Sequence, residues 1–285
     1  MTGLLVLRPG PLTTVQDLGR RGVAHLGVPR AGALDGPALV AANRLVGNPA
    51  GTAALETTLG GVALRAVGPL LAAVTGAPCA VRLDGRPVAW GAAVPVPDGA
   101  VLELGPATHG VRSYLAVAGG IAVPPVLGSR SADLLSGLGP APLTAGRLLP
   151  VGDTAGAVRA ELVPLPAPPA ELVLRLHPGP HQDWFAPAAR TLLARARYLV
   201  AAASNRIALR TEGLPLPRSR TGELPSEGMV LGAVQVPPDG LPVVFLADHP
   251  TTGGYPVVGV VPVADLAAAA QARPGTPVRF VPLGR

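Results

Sequence analysis

Acid, amide, guanidinium and hydroxyl groups able to act on a small polar substrate recur in short clusters along this sequence. One cluster is Thr13, Thr14, Gln16, Asp17 and Arg20; a second is Asp35, Asn43 and Glu56; a third is Ser129, Arg130 and Asp133. Asn205 and Arg206 form a fourth. The longest runs through Ser226-Glu227-Gly228, Gln235, Asp248 and Thr251-Thr252-Gly253-Gly254-Tyr255. Asp17, Glu227 and Asp248 can hold or move a proton, and Arg130 or Arg206 can clamp a carboxylate or phosphate through parallel N–H donors. Each cluster alone also serves as a turn, a cap or an ion pair, and residue chemistry by itself assigns no substrate.

Several other chemistries are excluded or disfavoured. His177 and His181 have a helical ligand spacing, but Pro178-Gly179-Pro180 between them forbids the helix, so no metal site is expected. Ser129 lies in Gly-Ser-Arg-Ser rather than Gly-x-Ser-x-Gly, so the nucleophile-elbow pattern is missing. The glycine pairs end strands and open no helices, which removes the dinucleotide fingerprint. All 23 basic residues are arginine. A chain without lysine cannot carry biotin, form a Schiff base or complete a Walker-type phosphate loop.

These side chains need elements to hold them. The chain has 37 glycines, 35 prolines and 48% hydrophobic residues with 3% aromatics, which predicts short strands and tight turns around a core of Val, Leu and Ala. Leu4 to Arg8, Val62 to Val67, Leu71 to Thr75, Ala80 to Leu83, Val88 to Trp90, Val101 to Leu104 and Tyr114 to Val117 read as strands. Asp84-Gly85 reads as a hairpin turn, and Thr13 to Arg20 as a polar loop. Val234 to Asp248 reads as a hairpin around Pro-Pro-Asp-Gly. Asp35 is placed to cap a helix whose apolar face is Leu39, Val40, Ala42, Leu45 and Val46, closed by Gly47-Asn48-Pro49. The proline-rich stretch 163–169 reads as a stiff connector. Beyond it, Leu174-Arg175-Leu176-His177-Pro178-Gly179-Pro180 echoes Leu5-Val6-Leu7-Arg8-Pro9-Gly10-Pro11, with Gln182-Asp183 echoing Gln16-Asp17, which predicts two similar β domains.

The net charge of +6 is carried by scattered arginines with no basic run interleaved with aromatics, so no nucleic-acid partner is expected. The lone Cys79 excludes an intramolecular disulfide. The longest uncharged stretches, Ala66 to Val81 and Ser113 to Ser129, are broken by Gly and Pro, and no leader pattern opens the chain. A cytoplasmic protein away from the membrane is expected.

A set of motifs in one order along the whole chain resembles the family of 5-oxoprolinase C subunits, also called KipA or allophanate hydrolase subunit 2 and described as a biotin-dependent carboxyltransferase family. They include Thr13-Thr14-Val15-Gln16-Asp17-Leu18-Gly19-Arg20, Leu45-Val46-Gly47-Asn48, Leu127-Gly128-Ser129-Arg130-Ser131, Ser226-Glu227-Gly228 and Thr251-Thr252-Gly253-Gly254-Tyr255-Pro256. The resemblance implies an all-β fold of two tandem cyclophilin-like β-barrel domains, 1–165 and 166–285, with exchange of segments between them allowed. It also implies two protein partners, a KipI-like B subunit plus the A subunit, with ATP-dependent conversion of 5-oxo-L-proline to L-glutamate. The ATP, with Mg, is expected to be bound with one of these partners. Two alternatives stay open: a carboxyltransferase component acting on urea-like amides with a separate biotin carrier, and a non-catalytic KipI-binding module. From residue chemistry the catalytic candidates are Asp17, Arg130, Glu227 and Asp248. The substrate-binding candidates are Thr13, Thr14, Gln16, Ser129, Arg206, Ser226, Gln235, Thr251, Thr252, Gly253, Gly254 and Tyr255, and the three rims Thr13–Asp17, Ser129–Asp133 and Thr251–Tyr255 are expected to converge. The chain departs from the family pattern at Ala31-Gly32-Ala33-Leu34-Asp35, Asn205-Arg206-Ile207-Ala208 and His249-Pro250. The last replaces a Gln beside Thr251, a change that bears on substrate choice.

Overall fold

The structure is a computed structural model that describes residues 2–153, 156, 158, 162–164, 167, 169–222 and 224–283. Among the described residues the chain is mainly β with three α-helices, α1 (Gly36–Leu45), α2 (Pro187–Arg195) and α3 (Val263–Gln271). It divides into two compact units. The first comprises Met1–Arg20, Ala31–Asp133 and Gly137–Pro168; the second comprises Arg21–Arg30, Leu134–Ser136 and Pro169–Arg285. The proline-rich connector expected at 163–169 lies partly outside the described residues.

In the first unit, Leu148–Pro150, Gly3–Pro9, Val62–Val67, Val101–Ala107, Cys79–Leu83 and Arg86–Val88 form, in that order, a six-stranded antiparallel sheet. Leu12–Gln16, Ala54–Thr58, Arg112–Val117, Leu70–Gly76 and Ala93–Val96 form a five-stranded one. The period-2 alternation decides how they pack. Leu4, Val6, Leu64, Leu102 and Leu104 from the first sheet meet Val15, Leu55, Val74, Leu115 and Val117 from the second in one buried cluster. The intervening residues Ala54, Ala73, Tyr114 and Ala116 face the other way, onto Leu39, Ala42 and Leu45 of α1. The strand Arg112–Val117 is therefore buried at every position, as a strand covered on both faces must be.

Helix α1 starts where its cap residue predicts: the Asp35 carboxylate accepts the Ala38 N–H at 3.0 Å. The Asp84-Gly85 turn joins Cys79–Leu83 to Arg86–Val88. Two local expectations fail. The strand read at Val88 to Trp90 is instead Arg86–Val88. Thr13 to Gln16, read as loop, is strand, paired Thr13↔Thr57 through Gln16↔Ala54. Its polar side chains look loop-like only until their partners are known. Thr13 Oγ1 meets Thr57 Oγ1 at 2.9 Å across the ladder.

The second unit holds a closed seven-stranded barrel in the order Leu172–Pro178, Val257–Val260, Ala233–Gln235, Val243–Phe245, Ala208–Glu212, Tyr198–Val200 and Pro277–Pro282. Closure comes from the one parallel pairing, Leu172–Pro178 on Pro277–Pro282, which leaves no open edge. Ala233–Gln235 and Val243–Phe245 pair as the Pro-Pro-Asp-Gly turn predicts. Leu174, Tyr198, Val234, Val244, Val278 and Phe280 are fully buried, with Tyr198 and Phe280 edge to face at 5.7 Å. Among the described residues no helix is long and apolar enough to cross a membrane.

The Tyr198 hydroxyl is buried without a hydrogen-bond partner among the described residues, and burial pushes its pKa up from 10.0 to about 12. The folded state thus holds the phenol proton more tightly than the unfolded chain. The associated stability is complete below pH 10.0 and is lost as pH rises towards about 12. Tyr198→Phe is expected to flatten this alkaline loss, so urea unfolding at about pH 8 and about pH 11 should show the variant gaining on the parent at the higher pH. Parallel pH dependences would contradict the assignment.

Candidate functional site

In the first unit the candidate residues of the N-terminal cluster and of the Ser129 loop meet, and the centre of the meeting is Asp17. Its Oδ1 accepts from Gly19 N–H at 2.8 Å and from the Ser129 and Ser131 hydroxyls at 2.6 Å each. Its Oδ2 accepts the Arg130 N–H at 2.6 Å. The Asp17 N–H donates in turn to Ser131 Oγ at 2.9 Å, and Ser131 N–H to Ser129 Oγ at 3.0 Å. A buried carboxylate holds its charge only when such donors surround it. The loop can supply them because Val126 and Ser129 close a tight turn whose central residues, Leu127 and Gly128, are both left-handed at φ 50° and 78°. That turn aims the next three residues back at Asp17.

Two neighbours of Asp17 grip the same loop. Gln16 Nε2 donates to Ala132 O at 3.1 Å and Thr14 Oγ1 at 3.0 Å. Arg20 donates to Val126 O at 3.2 Å and to Ser131 O. Thr13 Oγ1 donates to Pro9 O at 2.6 Å. Thr13, Thr14, Gln16, Asp17 and Ser129 are all buried and bonded within the fold. Their polarity builds the frame around the one member that reaches solvent.

That member is Arg130. Its backbone is fixed by Asp17 and its Nε donates to Val123 O at 2.7 Å. Among the described residues its two terminal amino groups have no protein partner. The exposed side chain lines a cavity of about 440 Å³ together with Asn48, Thr52, Gly119, Gly152 and Asp153. Asn48, just beyond the end of α1, is a wall of that cavity as well as part of a helix stop. Its Nδ2 donates to Asn43 Oδ1 at 3.0 Å and Val117 O at 2.8 Å, while its Oδ1 accepts the Gly119 N–H at 2.9 Å. A fixed guanidinium at the rim of a cavity of this size can hold the carboxylate or phosphate of a small molecule.

The Asp35–Asn43–Glu56 cluster is a support for this wall. Tyr114 OH donates to Glu56 Oε2 at 2.7 Å and accepts the Asp35 N–H at 2.8 Å. Burial first, and then the Glu56 and Asp35 charges, raise the Tyr114 pKa well above its ordinary value, so the phenol stays a donor.

In the second unit Arg206 and Asp248 form a buried two-pronged pair, Nε to Oδ2 at 2.8 Å and Nη2 to Oδ1 at 2.9 Å. Next to it His249 stacks on Phe245 at 5.7 Å and lies 2.7 Å from Pro250 O through Nδ1. Burial, more than the nearby Arg30 charge, lowers the His249 pKa, against the opposing pull of the Pro250 carbonyl. Gln235 Nε2 donates to Tyr255 O at 3.2 Å and lies 3.3 Å from Met229 Sδ. A Cβ at Gly253 would come to 2.5 Å from Gln235 Nε2 and 3.2 Å from Met229 Cγ, so a larger residue there would require the Gln235 amide to move. Thr252–Gly253 pairs with Glu227–Gly228 in a two-residue ladder, and the Thr251 carbonyl accepts the Met229 N–H. The Gly254 carbonyl accepts the Leu224 N–H at 2.9 Å. Ser226 and Thr252 are exposed and Glu227 half-buried. The Glu227 carboxylate lies 3.4 Å from His181 Nε2.

Reading the sequence missed Asn48 and Asp153 as cavity lining and His181 as the neighbour of Glu227. Gly-Asn-Pro is an ordinary helix stop, and no local pattern ties His181 to an acid far along the chain.

Comparison with known proteins agrees with this architecture. The family model for the carboxyltransferase domain, subdomains A and B, matches residues 26–282. The chain is 42% identical to the C subunit of 5-oxoprolinase from Escherichia coli, over 98% of this chain and 90% of that one. It is 36% identical to the C subunit of 5-oxoprolinase from Haemophilus influenzae, over 94% and 87% of the two chains. The crystal structure of the K. lactis urea amidolyase superposes with a TM-score of 0.91 at 29% identity, covering 99% of this chain but 19% of that far longer one. The chain belongs to the carboxyltransferase domain family, and its resemblance to the 5-oxoprolinase C subunits spans nearly its full length.

Replacing Asp17 by Asn leaves one acceptor oxygen where the loop needs two and sets an amide N–H₂ against a donor. The expected cost is about 3 kcal/mol, the loss of roughly two charge-assisted hydrogen bonds. A urea-unfolding midpoint unchanged from the parent would show that Asp17 is not what holds residues 126–132.

Proposed function

We propose that this chain is one component of an ATP-dependent 5-oxoprolinase that opens 5-oxo-L-proline to L-glutamate together with a KipI-like B subunit plus the A subunit. In this reading the Arg130 cavity receives the substrate's carboxylate. One observation carries it: an arginine whose backbone N–H is held by Asp17 and whose Nε is held by Val123 O, with both terminal nitrogens available at a cavity of about 440 Å³. 5-Oxo-L-proline is a small planar lactam with a single carboxylate, and a pre-positioned Arg recognises that group at little entropic cost. The near-full-length likeness to two 5-oxoprolinase C subunits supports the choice of substrate.

The nucleotide and its Mg are assigned to a partner protein. This chain has no lysine to complete a Walker-type phosphate loop. For want of lysine it also has no attachment point for covalent biotin. What this chain supplies is binding: Arg130 fixes the substrate's charge. Glu227 is the candidate acid of the second unit whose carboxylate reaches solvent. The carboxylates of Asp17 and Asp248 are already engaged by buried donors.

A second reading, carboxyl transfer to a urea-like amide, is favoured by the family description and by the likeness to urea amidolyase. It requires biotin on a separate carrier. The two readings part in one assay. The reconstituted assembly is expected to release glutamate and phosphate from 5-oxo-L-proline and ATP without any biotinylated protein. Stimulation only by such a carrier, with urea as acceptor, would replace the first reading by the second.

Arg130→Ala is expected to raise KM for 5-oxo-L-proline about 10- to 100-fold, the worth of one charged hydrogen-bonding partner. The folded chain should lose only about 1 kcal/mol, for the Val123 contact. An unchanged KM would remove Arg130 from the substrate's path.

A further inference from the structure

We propose that Asp153 selects for the ring N–H of the substrate, accepting it while Arg130 holds the carboxylate. The first unit's cavity then recognises a small ligand that carries an anion next to a hydrogen-bond donor. The proposal rests on the reading that this cavity receives 5-oxo-L-proline.

Arg130 and Asp153 are, among the described residues, the two ionisable residues that line the cavity. The rest of its wall is small: glycine and alanine, Ile121, and the neutral side chains of Asn48, Pro49 and Thr52. Both charged residues are exposed, and no ion pair joins them among the described residues. Opposite charges on flexible exposed side chains are free to close on one another; here the backbone of each is fixed. Arg130 is held at its N–H by Asp17 Oδ2 and at Nε by Val123 O, at 2.6 and 2.7 Å.

Asp153 leaves the fold from an equally fixed point. Val151 bridges Ile121, and the Gly152 N–H donates to Gly120 O at 3.1 Å. Gly152 and Gly119 then stand backbone to backbone. A Cβ on Gly119 would run into the Gly152 carbonyl, and one on Gly152 would lie 2.7 Å from Gly119 O. Gly119 is itself tied by its N–H to Asn48 Oδ1 at 2.9 Å. One chain of contacts therefore sets Asn48, Gly119 and the base of Asp153 together on the cavity wall.

A cation and an anion that line one cavity without pairing favour a ligand complementary to both. In 5-oxo-L-proline the carboxylate and the ring nitrogen are attached to the same carbon, so one small molecule presents an acceptor for Arg130 and a donor for Asp153. A carboxylate only accepts. It gains a charge-assisted hydrogen bond from a ring N–H and is repelled by a ring oxygen or a carbonyl. Asp153 thus also orients the ring, with the N–H side towards itself and the lactam carbonyl away from it.

The test uses two probes on the reconstituted assembly without ATP, with affinities measured by calorimetry. They are 5-oxo-L-proline and its lactone counterpart 5-oxotetrahydrofuran-2-carboxylate, in which a ring oxygen replaces N–H. The parent is expected to bind the lactam about 10- to 100-fold more tightly. Asp153→Asn offers a donor as well as an acceptor and should bring that preference within about 3-fold, with Tm unchanged because the side chain is exposed. Arg130→Ala should weaken both probes about 10-fold or more and keep their ratio, since both carry the carboxylate. A lactam preference that survives in Asp153→Asn would overturn the proposal, and if Arg130→Ala still weakens both probes the cavity reading stands without it. If the assembly opens the lactam but neither variant changes its affinity, the function stands and both cavity residues fall. A parent that binds neither probe removes the cavity reading and the proposal together.

Discussion

The structure of the first unit depends on one buried carboxylate and the donors that surround it. Asp17 accepts four hydrogen bonds, three from the Ser129-Arg130-Ser131 segment more than a hundred residues away. An ionised group removed from water is tolerated only when its lone pairs are satisfied in this way. Satisfying them has two consequences. The strand Leu12–Gln16 is tied to a loop that has no regular secondary structure of its own, and the Arg130 backbone is pinned so that its guanidinium projects at the cavity rim. The polar residues on either side, Gln16 and Arg20, extend the same grip to the loop's carbonyls. The cavity's other wall is set by similar means, with the Asn48 side chain joining the end of α1 to Val117 and Gly119.

The second unit manages its buried charge differently. Arg206 and Asp248 neutralise one another as a close pair between neighbouring barrel segments. Removing one partner of such a pair leaves the other charged in a dry site, which is why both residues behave as part of the fold. The group left with reach is Glu227, on a two-residue ladder whose tight packing explains the small residues of the Thr-Thr-Gly-Gly stretch. In each unit most of the buried polar residues build the support, and a charged side chain reaches solvent beside it.

This division explains what could be read from the sequence and what could not. Local chemistry was legible: Asp35 caps α1 as predicted, Pro-Pro-Asp-Gly closes its hairpin, and the mainly-β class follows from Gly, Pro and β-branched content. The strand identity of Thr13 to Gln16 was not legible, because a run of hydroxyls and amides is apolar-equivalent only when its cross-strand partner, here Thr57, is in place. For the site, the clusters around Asp17 and Ser129 were visible as polar runs, but no local rule says that the acid of one serves the hydroxyls of the other. Asp153 and Asn48 gave no signal of a cavity, since each sits in a turn sequence that needs no further reason. Spacing along the chain pairs His181 only with His177. Val257 is brought to it by the pairing of Leu172–Pro178 with Val257–Val260, and Glu227 approaches it from the separate two-residue ladder.

The central claim is that the Asp17 clamp exists to present Arg130 to a small carboxylate. A crystal structure of the assembled complex with 5-oxo-L-proline tests it most directly. The account predicts the substrate carboxylate within hydrogen-bonding distance of the Arg130 terminal nitrogens, in the cavity beside Asn48 and Gly119, with the Asp17 contacts unchanged. Ordered substrate bound elsewhere, with Arg130 still facing solvent, would contradict it.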